Sequence, residues 1–445
     1  MKLPFLKQGA TFRHGIHPVY HKETGSLPIR RMPFAPRLNV PLAQHLGKPA
    51  ICTVRVGQEV LRGEIIGTAD GLVSLPVHAP ATGIVEAIGP MPSASGKMVE
   101  TVTIRPYQAD SQEVLVRAPR DVDAMDRQGL LAAIQDTGIA GLGGATFPAH
   151  VKLSVPADTV IDIMVVNGAE CEPFLTCDHR VMLERAPDLM RGIRYAMAAS
   201  GAPRAVIGVE DNKPDAIAAL QAALPADGTI TVKAVETKYP QGAEETLIYA
   251  VLGREVPAGK RPAAIGVLMN NVMTLSYLGR LLPAGEGMIE RVLTVAGPAV
   301  QRPGNYIVPI GTPLRFLLDY AGARSNAREV ILGGPMMGQT IASLDVPVTK
   351  GTSGVLAFGA EHVERVERSY PCIKCGECLK ACPKFLNPSQ LGMLAAKREY
   401  ALMAERFHLD RCFECGCCSY VCPSHIPLVQ QFRVAKAFNR EKVAA

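Results

Sequence analysis

The C-terminal part of the chain contains Cys372-x2-Cys375-x2-Cys378-x3-Cys382-Pro383, and the same spacing recurs forty residues later as Cys412-x2-Cys415-x2-Cys418-x3-Cys422-Pro423. We call these runs the first and the second ladder. Runs of this kind hold 4Fe-4S clusters, because the first three thiolates bind one cluster and the fourth binds the other cluster of the pair. The two ladders therefore predict a small ferredoxin-like domain with two clusters.

The predicted ligand sets are crossed between the ladders. The first-ladder site would take Cys372, Cys375, Cys378 and Cys422, and the second-ladder site would take Cys412, Cys415, Cys418 and Cys382. Iron–sulfur clusters exchange single electrons, so the C-terminal domain is expected to carry electrons.

Two other uses of the cysteines fit less well. Structural zinc sites usually pair two C-x2-C knuckles across a longer gap than these ladders leave. Disulfides are not expected either, because Met1-Lys2-Leu3-Pro4 does not begin a secretory leader and a reducing compartment keeps thiols free. Cys417 is interpreted as a spectator between two ligands. The isolated cysteines are interpreted as small buried residues; they are Cys52, Cys171 and Cys177.

Length and composition set the remaining limits. A chain of 445 residues is too long for one ordinary core. Its longest apolar runs, near Val160–Val166, are far shorter than the ~20 residues of a membrane-spanning helix. The net charge of +6 is mild, and without a basic run it does not indicate nucleic-acid binding. It is compatible with an acidic redox partner.

The N-terminal third shows short apolar runs separated by Gly and Pro, which predict β-strands and turns between Ile51 and Ile88. This pattern resembles the barrel-sandwich domain of biotinyl and lipoyl carriers. Such carriers present a lysine at a hairpin tip, but the corresponding turn here, residues 72–76, has none. A structural or docking module is therefore favoured over a swinging arm.

From Asp121 onward, helical and strand patterns alternate. The segment 138–148 contains four glycines within seven residues, and such a loop can bring backbone N–H groups close to a phosphate. An apolar strand over Thr159–Val166 ends at polar residues 167–173, and ligands bind at this edge of open α/β sheets. Further strands at 205–209 and 229–235, with helices near 180–200 and 214–224, predict a parallel or mixed sheet.

Taken in order, these motifs resemble two related families. The glycine-rich loop, Lys152, the 167–173 segment, Glu244-Glu245-Thr246 and Asn270-Asn271-x-x-Thr274 look like the FMN and NADH site of the flavoprotein subunit of respiratory complex I. The opening Phe12-x-x-Gly15-Ile16-His17-Pro18, followed by Lys22 and Thr24, and the ladders after the flavin motifs resemble the RnfC family of Rnf electron transport complexes. Residues 291–335 look like an SLBB domain, a small β-grasp.

The resemblance implies a role for each matching residue. Contacts to FMN are implied for Gly141, Gly143, Gly144, Lys152, Asn167, Glu170, Asn270, Asn271 and Thr274, with Tyr239, Gly242 and Glu244 close by. Contacts to the nicotinamide nucleotide are implied for Glu172, Glu245 and Phe147. The complex I subunit has an acidic residue where Ala169 stands and an aromatic one near Val155, so the adenine end of NADH is expected to be held differently here.

The implied fold is multidomain α/β and β. It comprises a barrel-sandwich domain (residues 1–120), an α/β FMN- and NADH-binding domain (121–280), an SLBB β-grasp domain (285–350) and an α-helical two-cluster ferredoxin-like domain (360–435). The implied cofactors are FMN, NAD(H) and two 4Fe-4S clusters.

The implied function is that of an enzyme subunit in a membrane-bound, ion-translocating ferredoxin:NAD+ oxidoreductase. The implied partners are an RnfB-like ferredoxin subunit and an integral membrane core, with the chain peripheral on the cytoplasmic face of the bacterial inner membrane. Two alternatives stay open. A soluble flavin reductase such as a cobalamin reductase shares these modules in a different order, and a docking subunit would use the clusters only structurally.

Overall fold

The computed structural model describes residues 10–115, 118–363 and 368–444. Parts of two predicted domains, residues 1–9 and 116–117 of the first and 364–367 of the last, lie outside the described residues, as do Met1 to Pro4. Within the described residues, four packed units follow one another along the chain. The domain boundaries stay predictions.

The first unit is a sandwich of two small antiparallel sheets. One sheet has the order β2-β8-β7-β4 and the other β3-β5-β6. Leu38, Val40, Ile66, Val85 and Ile104 alternate inward and are completely buried between the sheets. The strands are β2 (Leu38–Pro41), β3 (Ile51–Cys52), β4 (Glu59–Val60), β5 (Ile65–Thr68), β6 (Val77–His78), β7 (Gly83–Pro92) and β8 (Met98–Pro106).

The second unit is a parallel sheet with helices on both faces. Its order is β11-β10-β9-β12, with all pairs parallel. The strands are β9 (Ile163–Gly168), β10 (Ala205–Glu210), β11 (Ile230–Val235) and β12 (Val267–Asn271). The helices are α1 (Arg127–Asp136), α2 (Ala149–Leu153), α3 (Cys177–Glu184), α4 (Ala186–Ser200), α5 (Pro214–Ala222), α6 (Glu244–Leu252) and α7 (Val272–Ala284).

Two local predictions in this unit differ from the structure. The strand predicted from Thr159 begins at Ile163, because residues 156–161 form a turn. The helix predicted over residues 180–200 is two helices that meet at Arg185, and Pro187 in the first turn of α4 explains the restart, since proline is tolerated there but not in a helix interior.

Helices α4 and α7 pack against each other backbone to backbone. A Cβ atom on Gly192 would overlap the carbonyl of Leu275, and one on Gly279 would overlap the carbonyl of Asp188. Glycine at both positions therefore allows the close approach that sets the direction of α7.

The third unit is a six-stranded β-grasp sheet, order β1-β14-β13-β17-β15-β16, crossed by one helix. Its outer strand β1 comes from the N-terminal segment, and its strand β17 lies beyond residue 350. The elements are β1 (Arg30–Arg31), β13 (Glu290–Ala296), β14 (Gly304–Pro309), α8 (Leu314–Tyr320), β15 (Ala327–Leu332), β16 (Gln339–Thr340) and β17 (Gly354–Gly359).

The fourth unit is helical and repeats itself after forty residues. Gly376 and Gly416 both have φ +81°, and Lys374 and Glu414 are both left-handed, so the two ladders follow the same backbone path. Its helices are α9 (Glu377–Ala381), α10 (Pro388–Ala396), α11 (Tyr400–Glu405), α12 (Cys417–Tyr420) and α13 (Leu428–Ala444). Among the residues that the structure describes, no helix combines the length and apolar character needed to cross a bilayer.

One buried carboxylate joins the first three units. Glu290 of β13 is 4% exposed in its side chain and accepts from Arg31 of β1 at 2.7 Å and from Arg62 of the sandwich at 2.8 Å. Arg280 of α7 lies 3.5 Å from its other oxygen. The N-terminal segment also links units, because Ala10 bridges to Val235.

Candidate flavin and iron–sulfur sites

The parallel sheet has a switch point between β9 and β12. From β9 the chain adds β10 and β11 on one side and returns to add β12 on the other. Ligands of open α/β sheets bind where the carboxyl ends of two such strands diverge. Asn167 ends β9, and Asn270 and Asn271 end β12, so the fold brings the predicted polar residues to this point.

The glycine-rich loop lies over the N-terminus of α7. The N–H of Gly141 donates to the carbonyl of Phe147 at 2.8 Å and closes the loop, and the N–H of Leu142 donates to the hydroxyl of Thr274 at 2.9 Å. A Cβ atom on Gly143 would lie 3.0 Å from Cβ of Asn271. The loop and the positive end of α7 therefore face the same space, as in phosphate-binding loops.

Asn271 organises the start of α7. Its side-chain oxygen caps the helix by accepting from the N–H of Met273 at 2.9 Å, and its amide nitrogen donates to Asp178 at 2.7 Å. Asp178 was not predicted as a site residue. Burial, together with the neighbouring Glu170 carboxylate, raises the pKa of Asp178.

Glu170 caps the next helix. Its carboxylate accepts from the N–H groups of Asp178 and His179, at 3.0 and 3.2 Å, at the start of α3, and from the thiol of Cys177 at 3.3 Å. A ligand would therefore meet a carboxylate that is already held in place.

Two charged residues fix the loop after β9. The ammonium group of Lys22 donates to the backbone carbonyls of Glu170, Glu172 and Leu175, at 2.7, 2.8 and 2.5 Å. The carboxylate of Glu172 accepts from the N–H groups of Met336 and Met337, at 3.0 and 2.8 Å. Burial raises the pKa of Glu172 to about 7. The sequence motif contained Lys22 but gave it no role.

Asn167 and Gly242 hold two loops together at the same edge. The side-chain amide of Asn167 donates to the carbonyl of Gly242 at 2.8 Å, and its oxygen accepts from the N–H of Ala169 at 2.9 Å. A Cβ atom on Gly242 would overlap the carbonyl of Ala169.

The outer predicted residues are more exposed. Lys152 lies 3.4 Å from Glu244, Glu245 pairs with Lys384 of the helical unit, and Phe147 is half-buried. The structure thus places Lys152 and Glu244 side by side but turns Glu245 toward the cluster domain.

Orphaned polar groups test whether this region fits FMN. The amide nitrogen of Asn270 and both amide atoms of Gln241 are buried without a hydrogen-bond partner among the described residues. Such groups are costly unless a ligand or water satisfies them. Together with the open space over Gly144, they fit a ligand rich in hydrogen-bonding edges. Gln241 was missed, although it lies between the predicted Tyr239 and Gly242.

The eight ladder cysteines line two separate cavities in crossed sets. A cavity of about 850 Å³ is lined by Cys372, Cys375, Cys378 and Cys422. A cavity of about 380 Å³ is lined by Cys382, Cys412, Cys415 and Cys418. Four thiolates around one space are a donor set that a 4Fe-4S cluster takes.

The second-ladder site is built against the flavin-binding unit. The hydroxyl of Tyr239 donates to the backbone carbonyl of Cys415 at 2.8 Å, and Tyr239 is completely buried. Nδ1 of His14 lies 3.0 Å from the carbonyl of Cys382, and the N–H of Gly15 donates to the carbonyl of Ala381 at 3.2 Å. The two units therefore meet at the second ladder.

The remaining cysteines lie close to the predicted places. Cys171 and Cys177 are buried, and Cys52 is half-buried. Cys417 is completely buried in an apolar cluster with Cys171 and Tyr239, and it also lines the second-ladder cavity. It therefore fills the joint between the two units.

Comparison with known families agrees with this architecture. In sequence order, four family models match: the RnfC barrel sandwich hybrid domain at residues 10–109, the Nuo51 FMN-binding domain at 134–280, the SLBB domain at 292–340 and the 4Fe-4S dicluster domain at 371–426.

Several relatives match along nearly the whole chain. The RnfC-type subunit of the proton-translocating ferredoxin:NAD(+) oxidoreductase complex of Clostridium ljungdahlii is 39% identical over 97% of this chain and 94% of its own length. The Na(+)-translocating counterpart of Acetobacterium woodii is 41% identical over 86% of each chain. The corresponding subunit of the ion-translocating oxidoreductase complex of Pseudomonas aeruginosa is 42% identical over 96% of this chain and 55% of its own length.

The fold and the sites define a subunit of an electron-transferring oxidoreductase that carries FMN and 4Fe-4S clusters. The chain belongs to the RnfC family, whose members are subunits of ion-translocating oxidoreductase complexes. The predicted family, fold class and cofactors are thereby confirmed.

Proposed function

We propose that this chain exchanges hydride with NAD(H) at FMN and passes single electrons between FMN and an RnfB-like ferredoxin subunit. It would do so within a membrane-bound, ion-translocating ferredoxin:NAD+ oxidoreductase, as a peripheral subunit on the cytoplasmic face of the bacterial inner membrane. Support comes from the family and from its FMN-binding and dicluster domains.

One observation carries the electron path. Tyr239 of the flavin-binding unit donates to the carbonyl of Cys415, so the second-ladder site adjoins the flavin-binding unit. The first-ladder site lies on the other side of the helical unit, and its Cys375 is exposed. The two sites therefore stand in series between the flavin-binding unit and solvent, with the second-ladder site inside and the first-ladder site outside.

The residues around the switch point supply the flavin site of this proposal. The loop through Gly141, Gly143 and Gly144 would receive the phosphate, since Thr274 holds the loop at the start of α7. Lys152, now 3.4 Å from Glu244, would turn its charge to the same phosphate. The groups proposed to hydrogen-bond the flavin are Asn167, Glu170, Asn270 and Asn271, with Tyr239 and Gly242 forming the adjacent wall.

The nucleotide would approach from the outer side of this wall. Glu172, Glu245 and Phe147 are proposed to contact it. Because both oxygens of Glu172 accept from Met336 and Met337, this carboxylate also ties the nucleotide site to the β-grasp unit. When bound, FMN supplies the conversion between the two-electron exchange of a nicotinamide and the one-electron exchange of clusters.

Cofactor content and turnover test the proposal together. Protein purified without oxygen is expected to hold about eight irons and one FMN per chain, following from two four-iron sites. NADH should bleach the cluster absorbance, and NADH oxidation should proceed with menadione, an uncharged acceptor. Cys415→Ala should abolish bleaching of the second-ladder cluster, whereas Cys52→Ala, outside both sites, should not. A protein that holds clusters but neither binds FMN nor oxidises NADH would favour the docking-subunit alternative.

A further inference from the structure

The first-ladder site opens to solvent through an apolar rim. Cys375 is exposed, whereas the other seven ladder cysteines are buried or half-buried. Tyr370, Ile373 and Met393 line the same cavity and expose 52, 67 and 37% of their surface. Large apolar side chains that cluster at the surface mark interaction sites. The cluster site thus reaches the surface where the chain is prepared for contact.

The positive charge of the chain is concentrated in this unit. Residues 368–444 contain twelve Lys and Arg against six Asp and Glu, which leaves +6. The whole chain also carries +6, so the rest of it is electrically balanced. A surface with one sign of charge attracts partners of the opposite sign and raises their association rate.

Three of these cations stand around the apolar rim. The guanidinium of Arg368 lies 5.8 Å from the centre of the Tyr370 ring, Lys374 lines the cavity and is exposed, and Lys397 follows the cavity residue Ala396. Within the described ranges, no carboxylate pairs with these three side chains.

Other cations of this unit are neutralised. Lys380 pairs with Glu377, Lys384 with Glu245, and both Arg433 and Lys436 with Glu414. The unpaired charge therefore includes the rim of the first-ladder site.

We propose that the surface formed by Arg368, Tyr370, Ile373, Lys374, Met393 and Lys397 docks a small acidic iron–sulfur protein that exchanges single electrons with the first-ladder site. This inference rests on the proposed function and names the surface that serves it. One electron leaves a reduced cluster of the partner and enters the first-ladder cluster, and no bond or proton moves. An apolar centre with a charged rim is typical of short-lived redox encounters, which bury less than about 1,200 Å².

A kinetic experiment tests the surface. The probe is an acidic two-cluster bacterial ferredoxin, reduced chemically and mixed in a stopped-flow instrument with the oxidised, cofactor-loaded chain. Because steering raises association rates about 10- to 1,000-fold and salt screens it, the second-order rate constant should fall at least about tenfold between low and high ionic strength. The double variant Arg368→Glu with Lys397→Glu leaves every ladder residue unchanged and should lose at least about tenfold at low salt, with little remaining salt dependence.

Two controls separate the possible failures. Arg261→Glu changes an exposed cation of the flavin-binding unit and should keep the wild-type rate constant. NADH oxidation with menadione should be equal in all three proteins, so its absence in the wild type would reject the proposed function itself. If that activity is intact but the rate constant ignores salt, or Arg261→Glu loses as much as the double variant, the docking surface is wrong.

Discussion

Glu290→Gln removes the charge that Arg31, Arg62 and Arg280 share, and its cost can be worked out from the structure. Burial on its own raises the pKa of Glu290, but the hydrogen bonds from Arg31 and the charges of Arg280, Arg31 and Arg62 outweigh burial and hold the pKa at about 2. Measured from the ordinary value of 4.5, this shift corresponds to about 3 kcal/mol of stabilisation at neutral pH, since one pKa unit is worth about 1.4 kcal/mol.

The pH dependence has a defined sign. Because the folded-state pKa is lowered, the stabilisation is complete above pH 4.5 and is lost as the pH falls through about 2. The variant should therefore be less stable than the wild type by about 3 kcal/mol, and by the same amount at pH 6 and at pH 8.

Hydrogen exchange measured by mass spectrometry suits this multidomain protein, since it reports the opening free energy of each region separately. Peptides that cover β13 should show the loss. Glu255→Gln, a change of an exposed carboxylate without an ion pair among the described residues, should stay within about 0.5 kcal/mol of the wild type. A loss below about 1 kcal/mol for Glu290→Gln, or a large difference between pH 6 and pH 8, would refute the reasoning.

Three further predictions concern the sites. Cys382→Ala should alter the electron paramagnetic resonance signal of the second-ladder cluster and spare that of the first-ladder cluster, and unchanged signals from both would contradict crossed ligation. Tyr239→Phe removes the hydrogen bond to the Cys415 carbonyl and should slow cluster reduction by NADH severalfold at unchanged FMN content, whereas Tyr249→Phe, a half-buried tyrosine of α6, should not. Lys22→Met leaves three carbonyls without their donor and should weaken FMN retention about tenfold or more, with partial rescue by Lys22→Arg; full retention in Lys22→Met would show that Lys22 does not hold the loop.

Local sequence signals accounted for much of the fold. Ladder spacing predicted the crossed grouping of the cysteines, because three thiolates within one turn of chain cannot enclose a cluster without a fourth from elsewhere. The parallel sheet followed from the alternation of apolar strands and helices. The break at Arg185 was missed because the apolar pattern of α3 continues into α4, and only Pro187 marked the restart.

Contacts between distant residues could not be read from the sequence. Lys22 meets carbonyls about 150 residues away, and Glu290 gathers arginines from three units. Thr274 was predicted to bind flavin, but its hydroxyl accepts from Leu142, a pairing that depends on where the glycine-rich loop lies in three dimensions. The roles of the flavin and nucleotide residues stay predictions.

The N-terminal segment imposes an order on assembly. His14 lies against the carbonyl of Cys382, a separation of 368 residues. Ribosomal synthesis proceeds from the N-terminus, and earlier units fold while later ones are still being made. The strand-like stretch around Ile16 must therefore wait, without its final neighbours, until the ladders emerge and receive their iron. Failure of cluster insertion would leave this stretch exposed, which couples metal supply to the proteolytic survival of the newly made chain.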